Sequence, residues 1–447
     1  MISSYKEAIS YLDSFINYEK KIPPYPRVWK LERVEALLRI LNINYQNLKV
    51  IHIAGTKGKG STAIFLSYVL ASLGYKTGVF VSPHLDSYRE RISTVYISPS
   101  KKRVVYKNIP ASRFTSIMNC FFPALEKWSQ ARWGKITFFE ILTALSMKYF
   151  LDKNMDFVIL ECGLGGRLDA TNVIERPLLS IITHIGYDHT HILGNSLKKI
   201  AQEKSGIIKK DSLVITARQK PSVLSVIEKN CKEKKVPFYI LGKDFFCEKI
   251  RLRKSHTLFD LRTKDMLIKN LKIVLKGEHQ VENASLAVVS SLLLVKDREK
   301  FSISKIKQGL KNASVPGRFE AKGNLILDIA HNLSSLLALK KSLNVYFPRY
   351  KIITVFALSK DKDAAKILGV VDSFSHKVIF TTTSNPRSQD PQYLRRILGR
   401  GEVEPDIKKA LKKAFGMHED NCKILITGST FLVSQARKII RGCLRTP

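Results

Sequence analysis

The residues of this 447-residue chain that could do chemistry fall into a few short runs. The densest is Gly55-Thr-Lys-Gly-Lys-Gly-Ser-Thr62, placed directly after a β-rich apolar run and opening a helical pattern. In that context glycines let backbone N–H groups turn inward around an anion, and the helix N-terminus adds partial positive charge. Lys59 supplies a full charge for β and γ phosphates, so Gly58, Lys59, Gly60 and Ser61 form a candidate phosphate cradle. Ser61 or Thr62 can reach a magnesium ion. The spacing departs from the common P-loop, because Ile53 stands at the first glycine position and Gly60 follows Lys59 in place of Ser or Thr. The plainer alternative is a Gly-rich turn without a ligand.

A second set stands at strand ends. Ser82-Pro-His-Leu85 leads into Tyr88-Arg-Glu-Arg-Ile92, Glu161 begins ECGLGGRLDATN, and Asp188 and His189 lie in THIGYDHT. Ligands of doubly wound sheets lie outside the carboxyl ends of the strands. A hydroxyl from Ser82, a carboxylate from Glu161 and an imidazole from His189 would make an oxygen-rich magnesium site with one nitrogen ligand, unusual for that hard ion. Taken singly, each has an ordinary reading as a turn, a charged strand end or a loop histidine. Lys204 sits among Lys198, Lys199, Lys209 and Lys210, where a solvated lysine face is the simplest expectation. Asp328-Ile-Ala-His-Asn332 ends a later strand, with Arg318 just before it, and both could face a nucleotide if two domains close on it.

Such residues need a scaffold. Apolar β-rich runs at 48–54, 76–82, 156–164, 178–185 and 213–217 alternate with helical patterns, the signature of βαβ units and a mostly parallel sheet. Helical spacing over Ser61–Leu73 and from Thr137 to about Asp152 should pack on that sheet. Short alternating strands are expected from Phe246 to Lys276, followed by a buried helix over 281–295. The run NASVPGRFEAKGN breaks both periods, and a new series of strands begins at Leu325 (325–330, 351–358, 377–382, 423–429). The expected fold is therefore α/β: a P-loop-type, mostly parallel domain over 1–312 with an N-terminal helical segment, a linker over 313–324, and a smaller Rossmann-like α/β domain over 325–447.

Composition fits this. Hydrophobic residues make up 45% and charged residues 25%, as in ordinary globular domains, which excludes a disordered or disulfide-stapled chain. Lys plus Arg outnumber Asp plus Glu by 75 to 38, a net +37, so anionic partners are expected: nucleic acid, an anionic membrane, or nucleotides and carboxylates. Six cysteines without a CxxC pair indicate neither a zinc ribbon nor a disulfide framework. No signal peptide and no membrane span is read, and a cytoplasmic location is expected.

The motifs GTKGKGST, SPHLDSYRERI, TFFE, ECGLGGRLDATN, YDHT, EKSGIIK, ENA, PGRFE, DIAHN and DKD occur in order from about Val28 to Arg437. Together they resemble the folylpolyglutamate synthase and dihydrofolate synthase family, within the Mur-ligase group of ATP-dependent amide ligases. The resemblance implies that Gly58, Lys59, Gly60 and Ser61 hold the ATP phosphates and that Ser82, Glu161 and His189 hold magnesium, with two ions. It implies that Lys204 is carbamylated by carbon dioxide and supports the metal cluster. Asn283, Arg318 and Asp328 match nucleotide contacts; Ile136, Thr137, Phe138 and Phe139, with Leu168, Asp169 and Ala170, match pterin-side positions. His331 matches a histidine that positions a ligand. Leu333 stands where Pro usually follows DIAHN, and the stretch 94–112 matches weakly. The implied reaction joins L-glutamate to dihydropteroate or to the tail of a reduced folate through an acyl phosphate, with ATP as co-substrate, room for a monovalent cation, and a monomer without nucleic-acid or membrane partners. The alternatives are a Mur-type ligase acting on a cell-wall precursor and, from another class, a nucleic-acid-stimulated P-loop ATPase.

Overall fold

A computed structural model describes residues 2–19, 30–295, 299–417 and 419–443. Val28, at the start of the motif series, lies outside them. The chain forms two compact units: Met1–Ile250 with Leu258–Ile273 and Gln280–Ser314, and Arg251–Thr257 with Val274–His279 and Val315–Pro447.

The first unit is built on eight strands: β1 Val50–Ala54, β2 Thr77–Phe80, β3 Ile92–Ser98, β4 Arg103–Asn108, β5 Phe157–Glu161, β6 Leu179–Ile182, β7 Leu213–Thr216 and β8 Phe238–Ile240. Their order is β4-β3-β2-β5-β1-β6-β7-β8. Strands β2, β5, β1, β6, β7 and β8 run parallel, and β3 and β4 add an antiparallel edge. All five expected strands are present. The β3–β4 edge falls in the stretch that matched weakly, and was not anticipated there.

β1 is buried along its whole length between β5 and β6, as a parallel strand covered on both faces must be. Its register sets Ile53 beside both Glu161 and Ile181, so the loops after β1, β5 and β6 leave the sheet at one edge. Helices Lys59–Ser72 and Phe138–Asp152 follow the expected spacing; most of their residues are buried.

Strands β9 Phe245–Leu252, β10 Thr257–Thr263 and β11 Leu267–Ile273 form a three-stranded sheet, and helix Glu278–Leu294 follows. In the second unit β12 Glu320–Lys322, β13 Leu325–Leu327, β14 Lys351–Phe356, β15 Lys377–Phe380, β16 Glu402–Val403 and β17 Cys422–Thr427 are ordered β12-β13-β17-β14-β15-β16, all parallel except β12. Its core gathers Ile326, Leu336, Phe356, Phe380 and Leu425. The expected linker thus contains a strand, because Glu320–Lys322 pairs with Leu325–Leu327 across the Gly323 turn. The two short segments 251–257 and 274–279, which belong to the second unit, carry no sequence signal of their own. Among the described residues no helix is long and apolar enough to cross a membrane.

Candidate active site

The loop after β1 is shaped by close approaches. Gly58 caps helix Lys59–Ser72 at φ 85°, a left-handed conformation, and an added Cβ would lie 2.1 Å from Asn283 Oδ1. A Cβ on Gly55 would lie 1.9 Å from Thr183 Oγ1. Backbone conformation favours glycine at 58 and close packing favours it at 55, and Asn283, on the buried side of helix Glu278–Leu294, is placed against the loop. The Thr56 and Lys57 N–H groups donate to the His184 carbonyl at 2.9 and 3.2 Å, tying the loop to the end of β6. Ser61 and Thr62 are buried, and among the described residues the Thr62 hydroxyl has no hydrogen-bond partner.

Cationic groups converge here. Lys59 Nζ donates to the Gly55 carbonyl at 3.2 Å and stands 3.8 Å from Glu161 Oε1. Lys204 Nζ donates to the same carbonyl at 2.9 Å. The expectation of a solvated Lys204 is overturned: the residue is 5% exposed, while Lys198 and Lys199 on the same helix are exposed. The physical reason is helical spacing, because Leu197, Ile200, Ala201 and Lys204 share one inward face. Burial, reinforced by the Lys59 charge, pulls the Lys204 amine down to about 7. Burial likewise brings Lys57 down to about 8 against the opposing pull of Asp188. Lys57 was missed in the sequence because it reads as a spacer between glycines.

Glu161 is buried at the end of β5, and its Oε2 accepts the Ser82 N–H at 3.2 Å. Two of the three expected metal ligands are thus brought together. His189 stands beside Asp188, whose Oδ1 accepts the His189 N–H at 3.0 Å and lies 3.9 Å from Nε2. Among the described residues no three His, Cys, Asp or Glu side chains are grouped so as to hold a metal ion. The expected set contains only two of those types plus a hydroxyl. For magnesium this is adequate chemistry, since the ion keeps several waters and takes phosphate oxygens alongside one or two carboxylates.

The pterin-side candidates divide. Thr137 and Glu140 form a reciprocal capping box: Thr137 N–H donates to Glu140 Oε2 at 2.7 Å, and Glu140 N–H to Thr137 Oγ1 at 3.3 Å. Glu140 also accepts from Arg33 at 2.6 to 2.9 Å in a buried ion pair. Ile136 and Phe138 are buried, whereas Phe139 and Leu168 are half-buried. Asp169 is buried too. Its carboxylate accepts from Leu164 N–H at 2.8 Å, Thr171 N–H at 3.0 Å and the Thr171 hydroxyl at 2.6 Å, so it holds its own loop and Ala170 behind it.

In the second unit the Asp328 carboxylate accepts the N–H groups of Phe319 and Ala330, both at 2.8 Å. Burial raises its pKa, and the neighbouring Arg318 charge opposes the rise. His331 Nδ1 donates to the Ile329 carbonyl at 2.9 Å, which places a proton on Nδ1. At the carboxyl ends of β14 and β15, Asp361 pairs with Arg387 at 2.6 Å and with Lys362 at 3.4 Å.

Comparisons with known proteins agree with this layout. The Mur ligase middle domain matches residues 129–291 and the Mur ligase glutamate ligase domain residues 317–430. The dihydrofolate synthase/folylpolyglutamate synthase of Bacillus subtilis is 32% identical over 99% of this chain and all of its own length. The Mycobacterium tuberculosis folylpolyglutamate synthase solved with ADP is 27% identical, covering 97% of this chain and 98% of its own, at a TM-score of 0.87. A folylpolyglutamate synthase solved with AMPPCP and folate is 26% identical, covering 98% of this chain and 100% of its own, at 0.83. These relatives favour neither a cell-wall ligase nor a nucleic-acid-stimulated ATPase. The half-buried Lys59 and the buried Lys204 meeting on the Gly55 carbonyl, a strand-end carboxylate and relatives matched end to end agree: the chain belongs to the folylpolyglutamate synthase and dihydrofolate synthase family of the Mur-ligase superfamily, and is an ATP-dependent acid–amino-acid ligase.

Proposed function

We propose that the chain binds ATP with Gly58, Lys59, Gly60, Ser61 and Asn283, together with Arg318 and Asp328, and uses it to activate the carboxylate of dihydropteroate or of a reduced folate. A carboxylate is a poor electrophile. Its oxygen attacks the γ phosphorus, ADP leaves, and the amine of L-glutamate then displaces phosphate from the acyl phosphate to form the amide. Lys59 neutralises charge that spreads onto the transferred phosphoryl group, the main electrostatic demand of that step. Residues 1–312 carry the phosphoryl chemistry and 325–447 the glutamate-ligase part, where His331 orients a ligand, and the protein acts as a monomer in the cytoplasm.

Glu161, Ser82 and His189 would hold magnesium, and a buried carboxylate that meets Ser82 beside the Gly-rich loop fits such an ion. When bound, it supplies Lewis-acid neutralisation of phosphate oxygens. Lys204 fits carbamylation: an amine titrating near 7 is substantially neutral at physiological pH, can attack carbon dioxide through its lone pair, and releases a proton to leave a carbamate. Phe139 and Leu168 offer the accessible pterin-side surface, while Ile136, Thr137, Phe138, Asp169 and Ala170 shape it from behind.

The observation that carries this reading is the convergence of Lys59 and Lys204 on the Gly55 carbonyl beside Glu161. The test is incubation with ATP, magnesium, L-glutamate and either dihydropteroate or tetrahydrofolate, with products read by mass. Addition of one glutamyl residue with stoichiometric ADP is expected. No ATP-dependent glutamylation of either pterin would overturn the reading.

A further inference from the structure

β1 carries a histidine among apolar residues, Val50-Ile-His-Ile-Ala54, and His52 is fully buried. Its Nε2 lies 2.7 Å from Thr171 Oγ1 and 3.2 Å from Cys162 Sγ. The Thr171 hydroxyl donates to Asp169 Oδ1 at 2.6 Å, and Asp169 receives N–H bonds from Leu164 and Thr171, so it acts as an acceptor throughout. Cys162 Sγ is a second acceptor for the Thr171 hydroxyl, but at 3.6 Å against 2.6 Å for Asp169 Oδ1, so the proton goes to Asp169 and the short contact from His52 is donated by Nε2–H. Nδ1 is then a buried lone pair, and among the described residues it has no hydrogen-bond partner. Burial holds the ring neutral, with its pKa pushed down to about 3.

An apolar residue would fill this strand position without orphaning a nitrogen. Buried polar groups left partly unpaired call for an explanation beyond stability. The position supplies one. His52 stands three residues before Gly55, touches the residue that follows Glu161, and bonds the residue two beyond Asp169. It joins the strand of the phosphate loop, the strand of the candidate metal ligand and the 168–170 loop at a single ring.

We infer that His52 is a positioning residue which, through Thr171 and Asp169, sets the Leu168–Ala170 loop for the pterin substrate relative to the phosphate loop. This rests on the proposed pterin-side role of that loop. Because the ring acts through the loop and not on ATP, its loss should appear in the KM of the pterin substrate and spare that of ATP. Second-layer partners of this kind typically change affinity or activity by about 10- to 100-fold.

The test compares His52→Leu, which keeps bulk without a donor, with His52→Gln, whose amide N–H has similar reach. Expected for His52→Leu is a rise of about tenfold in KM for the pterin substrate, with KM for ATP within about twofold, and recovery in His52→Gln. Thr171→Val removes the middle of the relay and should reproduce the same split if His52→Leu does not fold. Histidine 15N spectra of the wild-type protein should show a protonated Nε2 and an unprotonated Nδ1 between about pH 6 and 8. A protonated Nδ1, unchanged pterin KM in Thr171→Val, or equal rises for both substrates would overturn the inference. A wild-type enzyme that glutamylates neither pterin would instead overturn the reading of function, and the two failures are distinguishable.

Discussion

Two motifs, GTKGKGST and TFFE, use their polar atoms in different ways. In the first, polar groups are gathered in excess of what the fold uses: two lysine side chains share the Gly55 carbonyl, a third lysine lies in the same loop, and among the described residues a buried hydroxyl is without a partner. In the second, the polar atoms are spent on one another, because Thr137 and Glu140 cap a helix and Glu140 neutralises Arg33. Residue type does not separate polar groups left over for a ligand from those the fold consumes. Hydrogen-bond accounting does, since a fold that needs nothing further leaves few buried groups unmatched.

The sharpest way to break this comparison is Lys59→Ala. Removing one charge aimed at a developing phosphoryl transition state should lower turnover by about 10²- to 10³-fold at saturating ATP while the folded state persists, as read by ADP release and thermal melting. Substantial turnover would return the loop to a simple turn. Next in size is the pair Glu161→Gln and His189→Ala. If both hold one ion, each single change removes most of the activity, and the double variant loses little more; simple additivity would separate them.

Lys204→Ala follows. As a carbamate, the residue supplies negative charge, so activity should fall and added acetate should restore part of it. The free amine also leaves a thermodynamic trace in buffer freed of carbon dioxide. Its folded pKa, about 7, lies below the ordinary value for lysine, so between those limits the unfolded chain binds more protons than the folded one. Stability therefore rises with pH across that window, by at most about 1.4 kcal/mol per pH unit for one proton. The wild type should gain on Lys204→Ala as pH climbs from 7 toward 10 in denaturant titrations; a flat difference would contradict the burial of the amine.

Arg33→Leu probes the other motif. It strands the Glu140 carboxylate in the core, and breaking a buried pair in this way costs about 3–5 kcal/mol. The expected result is a large fall in denaturation midpoint, with the KM for ATP nearly unchanged in the protein that remains folded. An equal loss of ATP binding would place TFFE with the phosphate site.

Much of this was legible in advance. The alternation of β-rich runs and helical spacing specifies both α/β units and every strand around the phosphate loop, because a parallel strand covered on both faces must be continuously apolar. Three things were hidden. The β3–β4 edge falls where no motif marks it; segments 251–257 and 274–279 join the second unit by tertiary packing alone; and His52 reads as a lone polar residue in an apolar strand. Lys204 is the instructive case, since its lysine-rich neighbourhood suggested solvent while its spacing from Leu197 and Ile200 already pointed inward.

The smallest expected effect tests that last point. Lys198 is on the same helix as Lys204, six positions away, and is exposed. The two lysines are identical in type, and the helix turns one outward and the other under the phosphate loop. Removing a solvated charge typically shifts stability by no more than about 0.5 kcal/mol. Lys198→Ala should therefore melt within a degree or two of the wild type, keep its turnover, and show no response to acetate. A loss comparable to that of Lys204→Ala would mean that local positive charge along this helix, and not the inward amine, is what the reaction needs.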